Sequence, residues 1–372
     1  MTVREQVALA GYTTLRLGGP AARFIEAGRD EQVVGAVRAA DSRDEPVLVL
    51  GGGSNLVVAD EGFPGTVVHV ATRGIQITAG GDAVAVTVAA GENWDALVER
   101  CVAEGLSGLE CLSGIPGLTG ATPIQNVGAY GQEVADTIVT VRAYDRLRDV
   151  IVELTNAECA FGYRTSAFKR RTGSRPSAAM NPAAATGRFV VLGVTFQLAA
   201  DPLSAPVGYA ELARVLDVAE GGRVPLTDAR SAVLALRRGK GMVLDPADAD
   251  TRSAGSFFTN PVLDRRKLAE LGRLAAARSG QADQQVRVPH FAAGDGQVKV
   301  PAAWLIEQAG FRRGYPAGGS ARISSKHTLA LTNPGSASTA SLVALAKQIR
   351  NGVREAFGVE LASEPVLIGT EL

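Results

Sequence analysis

Hydrophobic and polar positions divide the chain into segments of helical and of strand character. Glu31 to Ala40 reads as a helix, Pro46 to Leu50 as a short buried strand, and Thr66 to Val70 as a second strand beyond a glycine cluster, which together make a small α/β unit. Ala83 to Ala89 alternates through Val-Ala-Val-Thr-Val as a strand does. Trp94, Leu97, Val98, Cys101 and Val102 then recur at i, i+3, i+4, i+7 and i+8, which predicts an amphipathic helix and opens a second α/β unit. Further strands are expected at Thr137 to Tyr144, Val150 to Leu154 and Phe189 to Leu198. Before the last of these, Arg171 to Arg188 is rich in Ala, Ser, Pro and Gly with no hydrophobic period, and reads as a mobile surface insertion.

Beyond Asp201 the pattern changes to Pro-rich loops with helices at Ala229 to Arg238 and Asp264 to Arg278, which marks a boundary into another domain. A last long helix is expected from Ser338, a candidate N-cap, to Phe357. Leu342, Leu345, Ala346, Ile349 and Val353 lie on one face of it, and Gly358 ends it.

At 372 residues the chain suits two or three domains, and its 46% hydrophobic and 20% charged residues describe a globular protein. Lys+Arg and Asp+Glu are equal at 38 each, which argues against nucleic acid as partner but leaves room for a local basic pocket. No stretch reaches the roughly 18 to 20 apolar residues of a membrane span, and the N-terminus lacks a signal-peptide pattern, so a cytoplasmic protein with no membrane partner is expected. Cys101, Cys111 and Cys159 form no Cys-x-x-Cys pair and read as reduced structural thiols. His69, His290 and His327 show no metal-ligand spacing, so no metal is expected.

Two glycine-rich stretches carry candidate chemistry. Leu50-Gly51-Gly52-Gly53-Ser54-Asn55-Leu56 follows an apolar strand, and its bare backbone can either approach a pyrophosphate or make a plain tight turn. It is neither a Walker loop nor a dinucleotide fingerprint. Ser113 to Gly131 has too many glycines for a regular element and reads as a shaped loop. It either admits a flat ligand, with Thr122, Gln125 and Asn126 as hydrogen-bonding groups, or is purely structural.

These two stretches, Phe161-Gly162-Tyr163-Arg164 and Gly255-Ser256-Phe257-Phe258-Thr259-Asn260-Pro261 occur together and in order. From about Gly11 to Gly369 the chain resembles the UDP-N-acetylenolpyruvoylglucosamine reductase (MurB) family. The resemblance implies an α+β protein with a two-part FAD-binding module of the PCMH or vanillyl-alcohol-oxidase type and a smaller α/β substrate-binding domain. The implied division is 1–75 and 76–203 for the two FAD-binding parts, 204–335 for the substrate-binding domain, and 336–372 for a C-terminal helix and tail. It also implies FAD and NADPH as cofactors, UDP-N-acetyl-enolpyruvoylglucosamine as substrate, a role in peptidoglycan precursor synthesis, and a monomer.

By motif, the resemblance makes Gly51, Gly52, Gly53, Ser54, Asn55 and Leu56 the pyrophosphate loop. It makes Gly117, Thr122, Pro123, Gln125, Asn126, Gly128, Ala129, Tyr130 and Gly131 further flavin contacts. Arg164 falls on the family arginine at the reacting enolpyruvyl group, where a planar guanidinium suits a carboxylate, although an arginine can equally serve a structural carboxylate. Ser256 matches the serine that donates a proton to substrate carbon. A serine in a Gly-Ser turn more often bonds its own backbone, and a hydroxyl needs help to act as an acid.

Glu364 matches the family's C-terminal glutamate, but Pro365 and Val366 depart from the commoner Glu-Val-Arg, which leaves its backbone placement open and a solvated acid as the alternative. Tyr209 resembles the tyrosine of a loop that closes over substrate. Lys240 and Lys299 match basic positions for the UDP diphosphate, and Asn260 is a further substrate contact; taken singly, each of these lysines is an ordinary surface residue. Two rival functions share the scaffold: an oxidase that returns electrons to oxygen, and a binding module without turnover.

Overall fold

The computed structural model describes residues 2–80, 83–169, 186–278 and 286–372. The first sheet has the strand order Val3–Ala8, Pro20–Ala27, Phe63–Val70, Val47–Leu50, antiparallel at the first pair and parallel at the other two. Helix Asp30–Asp41 makes the crossover and buries Val33, Val34, Val37 and Ala40 against it. The hydrophobic pattern located this helix and strand Val47–Leu50 to within a residue or so at each end, but it began the central strand at Thr66 rather than Phe63. It also passed over the first two strands. Val3–Ala8 is exposed along almost all its length, so no buried face marks it in the sequence.

The second sheet is antiparallel, in the order Val150–Thr155, Ile138–Asp145, Phe189–Ala200, Ala83–Ala89, Ile75–Gly80, with Leu106–Ser107 against the end of Phe189–Ala200. Helix Trp94–Ala103 buries all five residues of the predicted stripe, and the Asn93 side chain caps it by accepting from Ala96 N. Val47, Val68 and Val70 of the first sheet and Val86, Val88 and Trp94 of the second unit belong to one continuous apolar core. Residues 170–185, most of the low-complexity stretch Arg171 to Arg188, lie outside the described residues. At its end, Thr186 Oγ1 accepts from Val49 N at 2.7 Å, and Arg188 pairs with Asp145 at 2.6 Å.

Past Asp201 come helices Ala210–Leu216 and Leu226–Gly239, then two three-stranded sheets: Ser253–Ser256, Ala330–Thr332, Arg322–Ile323, and Val262–Leu263, Val298–Lys299, Phe291–Ala292. Helices Arg265–Arg278, Ala302–Gln308 and Thr339–Phe357 pack on them. The last starts as its sequence predicts, with Ser338 Oγ accepting from Ser341 N, and stops at Gly358 in the left-handed region at φ 60°. Its apolar stripe shares a core with Phe257 and Phe258, and also with Leu15, Leu17 and Val57 from the N-terminal unit.

After this helix the tail turns back. Strand Val366–Ile368 pairs parallel to Leu56–Val58, which follows the Gly51–Gly53 loop. The result is an α+β molecule in which both chain ends reach one region. Among the described residues no helix is long and apolar enough to cross a membrane. The three cysteines are buried and unpaired, with burial pushing each thiol up to about 12, so they are inert at neutral pH.

Candidate active site

A cavity of about 470 Å³ opens where loops of the first two sheets meet the region past Asp201 and the tail. Gly51 to Leu56 form one wall, and Gly117, Thr122, Gln125, Gly128, Ala129 and Tyr130 form another. These loops touch. A Cβ on Gly52 would lie 2.7 Å from the Cα of Gly117, and one on Gly117 would lie 2.8 Å from Ser54 Oγ, so both positions must stay bare for the loops to meet. Gly53 adopts φ 58°, and a Cβ there would be 2.0 Å from Tyr12 O.

The second loop is pinned from behind. Asp95 accepts from Gly114 N at 2.6 Å and holds Arg230 at 2.7 Å, Trp94 Nε1 donates to Leu112 O at 3.1 Å, and Thr119 N donates to Glu92 O at 2.8 Å. Held in this way, the loop presents Ile115, Leu118, Ile124 and Val127 as an apolar face to the cavity beside Val49 and Trp94.

Arg164, Ser256 and Glu364, far apart in sequence, line this one cavity. Arg164 takes a left-handed backbone conformation, φ 53°. Its Nη2 donates to Gly128 O at 3.0 Å and its Nη1 to Asn126 O at 3.4 Å, while Nε lies 2.9 Å from Glu364 Oε1. That last contact is an ion pair rather than a well-directed hydrogen bond, because Nε has no partner of hydrogen-bond geometry.

Glu364 sits in place despite Pro365. Its N donates to Phe257 O at 2.9 Å, and Val366 N donates to Asn55 O at 2.9 Å, so the residues on either side of Pro365 are both tied. Burial raises the pKa of the Glu364 carboxyl above the ordinary carboxylate range, opposed by Arg164 and Lys169. Ser256 ends strand Ser253–Ser256 opposite Ala330. Among the described residues its hydroxyl makes no hydrogen bond; it is Ser253 that bonds the turn, accepting from Gly255 N at 3.3 Å.

Tyr209 and Lys240 also line the cavity. Tyr209 meets Tyr130 edge-on at 5.5 Å, and Lys240 Nζ lies 5.6 Å from the Tyr130 ring centre and 2.7 Å from Glu211 Oε2. Burial is the largest single influence and works against the Lys240 charge, but the Glu211 bond together with the nearby Tyr130, Glu211 and Tyr209 outweighs it and the pKa is raised.

Five expected site residues do not line the cavity. Pro123 lies behind the loop, as does Asn126. The Asn126 amide is used inward, donating to Glu133 at 2.6 Å and to Gly162 O at 3.3 Å and accepting from Ala135 N at 3.1 Å. Gly131 backs onto Tyr209. Asn260 Oδ1 caps a helix by accepting from Ala302 N at 2.9 Å, and Lys299 Nζ stands 4.2 Å over the ring of Tyr163. Neither Asn260 nor Lys299 is among the residues that line the cavity.

Residues 21–152 match the family described as an FAD binding domain, and residues 245–368 match the C-terminal domain of UDP-N-acetylenolpyruvoylglucosamine reductase. The reductase of Thermobifida fusca is 54% identical over 99% of this chain and 98% of its own length. That of Streptomyces coelicolor is 55% identical over 98% of this chain and 90% of its own. A crystal structure of the Thermus caldophilus reductase superposes with a TM-score of 0.62 at 25% identity, covering 99% of this chain and 100% of that one.

The chain belongs to the UDP-N-acetylenolpyruvoylglucosamine reductase family.

As a member of that family it is a reductase with an FAD-binding domain, and the cavity suits such a cofactor. Among the described residues, the backbone N–H groups of Gly52, Gly53, Ser54 and Asn55 donate no hydrogen bond, which leaves four adjacent donors for an anion such as a pyrophosphate. The apolar face across from them suits a flat ring. Arg237 Nε is buried without a partner at the same cavity, a donor that a ring carbonyl or phosphate oxygen can meet.

Three ionisable residues that line the cavity were not singled out from sequence: Lys169, Arg237 and His327. Burial, with Lys240 and Arg237 close by, pushes His327 down to about 4. Lys169 had a faint signal, standing in the same short segment as Arg164. Among the described residues no three His, Cys, Asp or Glu side chains gather into a metal-binding group.

Proposed function

We propose that the chain reduces the enolpyruvyl ether of a UDP-N-acetylglucosamine with NADPH to give UDP-N-acetylmuramate, in peptidoglycan precursor synthesis in the cytoplasm. The observation that carries this reading is the convergence of Arg164, Glu364 and Ser256 on the cavity walled by the two glycine loops. FAD, when bound, supplies the hydride, taken from NADPH and passed to the far carbon of the enolpyruvyl double bond.

The chain's own residues have three tasks in this scheme. Gly51 to Leu56 hold the pyrophosphate, and the Gly117 to Tyr130 loop holds the ring system. Arg164 and Glu364 stabilise the negative charge that develops beside the substrate carboxylate, which the low-dielectric cavity strengthens; a Glu364 carboxyl that holds its proton can also donate to the enol oxygen. Ser256, with a hydroxyl engaged by no protein group described, gives its proton to the adjacent carbon. Tyr209 closes over the nucleotide part and Lys240 pairs with its diphosphate, a reading supported by their position on the cavity wall. To these tasks we assign 1–75 and 76–203 as FAD-binding parts, 204–335 as the substrate-binding domain and 336–372 as the C-terminal helix and tail, in a monomer.

NADPH oxidation measured with and without the enolpyruvyl UDP-sugar tests the reading. Oxidation that depends on the sugar is expected. Oxidation that depends on oxygen alone marks an oxidase, and none at all with bound flavin marks a module without turnover.

A further inference from the structure

The reaction places an anionic carboxylate beside Arg164, yet Arg164 already has anionic company. Its Nε faces Glu364 at 2.9 Å, and each Nη already gives one of its two protons to a carbonyl, that of Gly128 or of Asn126. A guanidinium takes a carboxylate best through two parallel N–H groups. Here the Nε edge is closed by a carboxylate of the protein, and a second carboxylate arriving there meets a like charge.

Lys169 stands on the same cavity wall. Its Nζ donates one of three protons to Arg164 O at 3.0 Å, and this is its one hydrogen bond among the described residues. No described carboxylate comes within ion-pair distance of it, although Glu364 and Arg164 both act on it electrostatically. Burial lowers its pKa, as expected of an ammonium lacking a close counter-charge. Two remaining protons and a half-buried cation without an ion-pair partner, beside a protein-held Arg–Glu pair, make a carboxylate receptor.

We infer that Lys169 binds the carboxylate of the enolpyruvyl group, while Arg164 and Glu364 act together on the enol. This rests on the proposed substrate and adds a residue to its site. Lysine is the apt type: three donors on a point charge can hold the Arg164 carbonyl and a ligand carboxylate at once.

The test uses the FAD-loaded enzyme and two ligands that differ in the carboxylate, UDP-N-acetylglucosamine and its enolpyruvyl ether, titrated by the change in flavin absorbance. In Lys169→Met the affinity for the ether is expected to fall about 10- to 100-fold, the range for losing a charged hydrogen bond, while that for UDP-N-acetylglucosamine stays within about threefold. Lys169→Arg, which keeps the charge, should recover part of the loss.

Equal weakening of both ligands, with no recovery in Lys169→Arg, returns Lys169 to a support for the Arg164 backbone and overturns the inference. So does unchanged affinity for the ether. Should the wild-type enzyme itself fail to bind or reduce the ether, the proposed substrate is wrong and the inference goes with it. That outcome is distinct, because it appears before any substitution is made.

Discussion

Glu364 Oε1 lies 2.9 Å from Arg164 Nε, an ion pair between a residue of the second sheet's connecting segment and a residue of the C-terminal tail. The pair is largely sheltered, with side-chain exposures of 12% for Glu364 and 23% for Arg164. Burial raises the pKa of the Glu364 carboxyl above the ordinary carboxylate range, against the opposing pull of Arg164 and Lys169. The pair joins the segment between two strands of the second sheet to the C-terminal tail at the wall of the cavity.

Arg164→Lys keeps a charge but cannot reach Gly128 O, Asn126 O and Glu364 together. We predict a loss of about 1.5 to 3 kcal/mol in transition-state stabilisation, read from kcat/KM for the UDP-sugar. Turnover near that of the wild type would remove Arg164 from the chemistry and leave it a structural tie.

Ser256→Ala should separate the two half-reactions, since a proton donor to substrate carbon has no task while NADPH reduces the flavin. Reoxidation by the UDP-sugar is expected to slow by roughly 100-fold or more, with reduction by NADPH within a few fold. Stopped-flow traces at full FAD occupancy measure both steps. Parallel losses would mean that the substitution has shifted the loop, and Ser256 would lose its assigned role.

Gly52→Ala places a methyl 2.7 Å from the Cα of Gly117, with backbone rather than a flexible side chain in its way. The two loops must part, at a cost typical of overpacking, about 1 to 3 kcal/mol. FAD affinity of the refolded apoprotein should drop correspondingly, by fluorescence titration. Undiminished affinity would show that the contact between the loops is irrelevant to the cofactor.

Tyr209→Phe should raise the KM for the UDP-sugar more than it slows flavin reduction, because the ring packs on Tyr130 at the cavity mouth and only its hydroxyl is lost. An unchanged KM would make the tyrosine a packing residue.

His327 gives the fold a specific acid sensitivity. Its folded-state pKa is lowered to about 4, against about 6.5 for an unperturbed histidine. The unfolded chain therefore takes up a proton there first as pH falls. The stability associated with neutral His327 is complete above about 6.5 and is lost as pH falls toward 4. His327→Gln, which cannot titrate, should show a shallower decline of the urea midpoint over that window. Parallel declines in the two proteins would assign the sensitivity to other groups.

Local signals carried much of this molecule. The helix stripes at Trp94 to Val102 and Leu342 to Val353, the Ser338 cap and the Gly358 stop were legible, because helix period and cap chemistry depend on residues within one or two turns. The glycine loops were legible as shaped loops. What they were shaped for was not: a Cβ on Gly52 would strike Gly117 and one on Gly117 would meet Ser54, contacts between distant segments that no local pattern expresses. The edge strand Val3–Ala8 left no trace because it buries almost nothing.

Tertiary packing alone decided which polar residues face the cavity. Asn126, Asn260 and Lys299 had the right types in the right motifs, yet each is turned to satisfy a backbone group or a neighbouring ring. Lys169, Arg237 and His327 carried no motif and face inward. Residue type and spacing determine what a side chain is able to do. Whether it does so depends on which way a buried backbone points it and on what charge arrives from elsewhere in the chain. For Glu364 this was settled by two hydrogen bonds on either side of Pro365, made to segments remote from it in sequence.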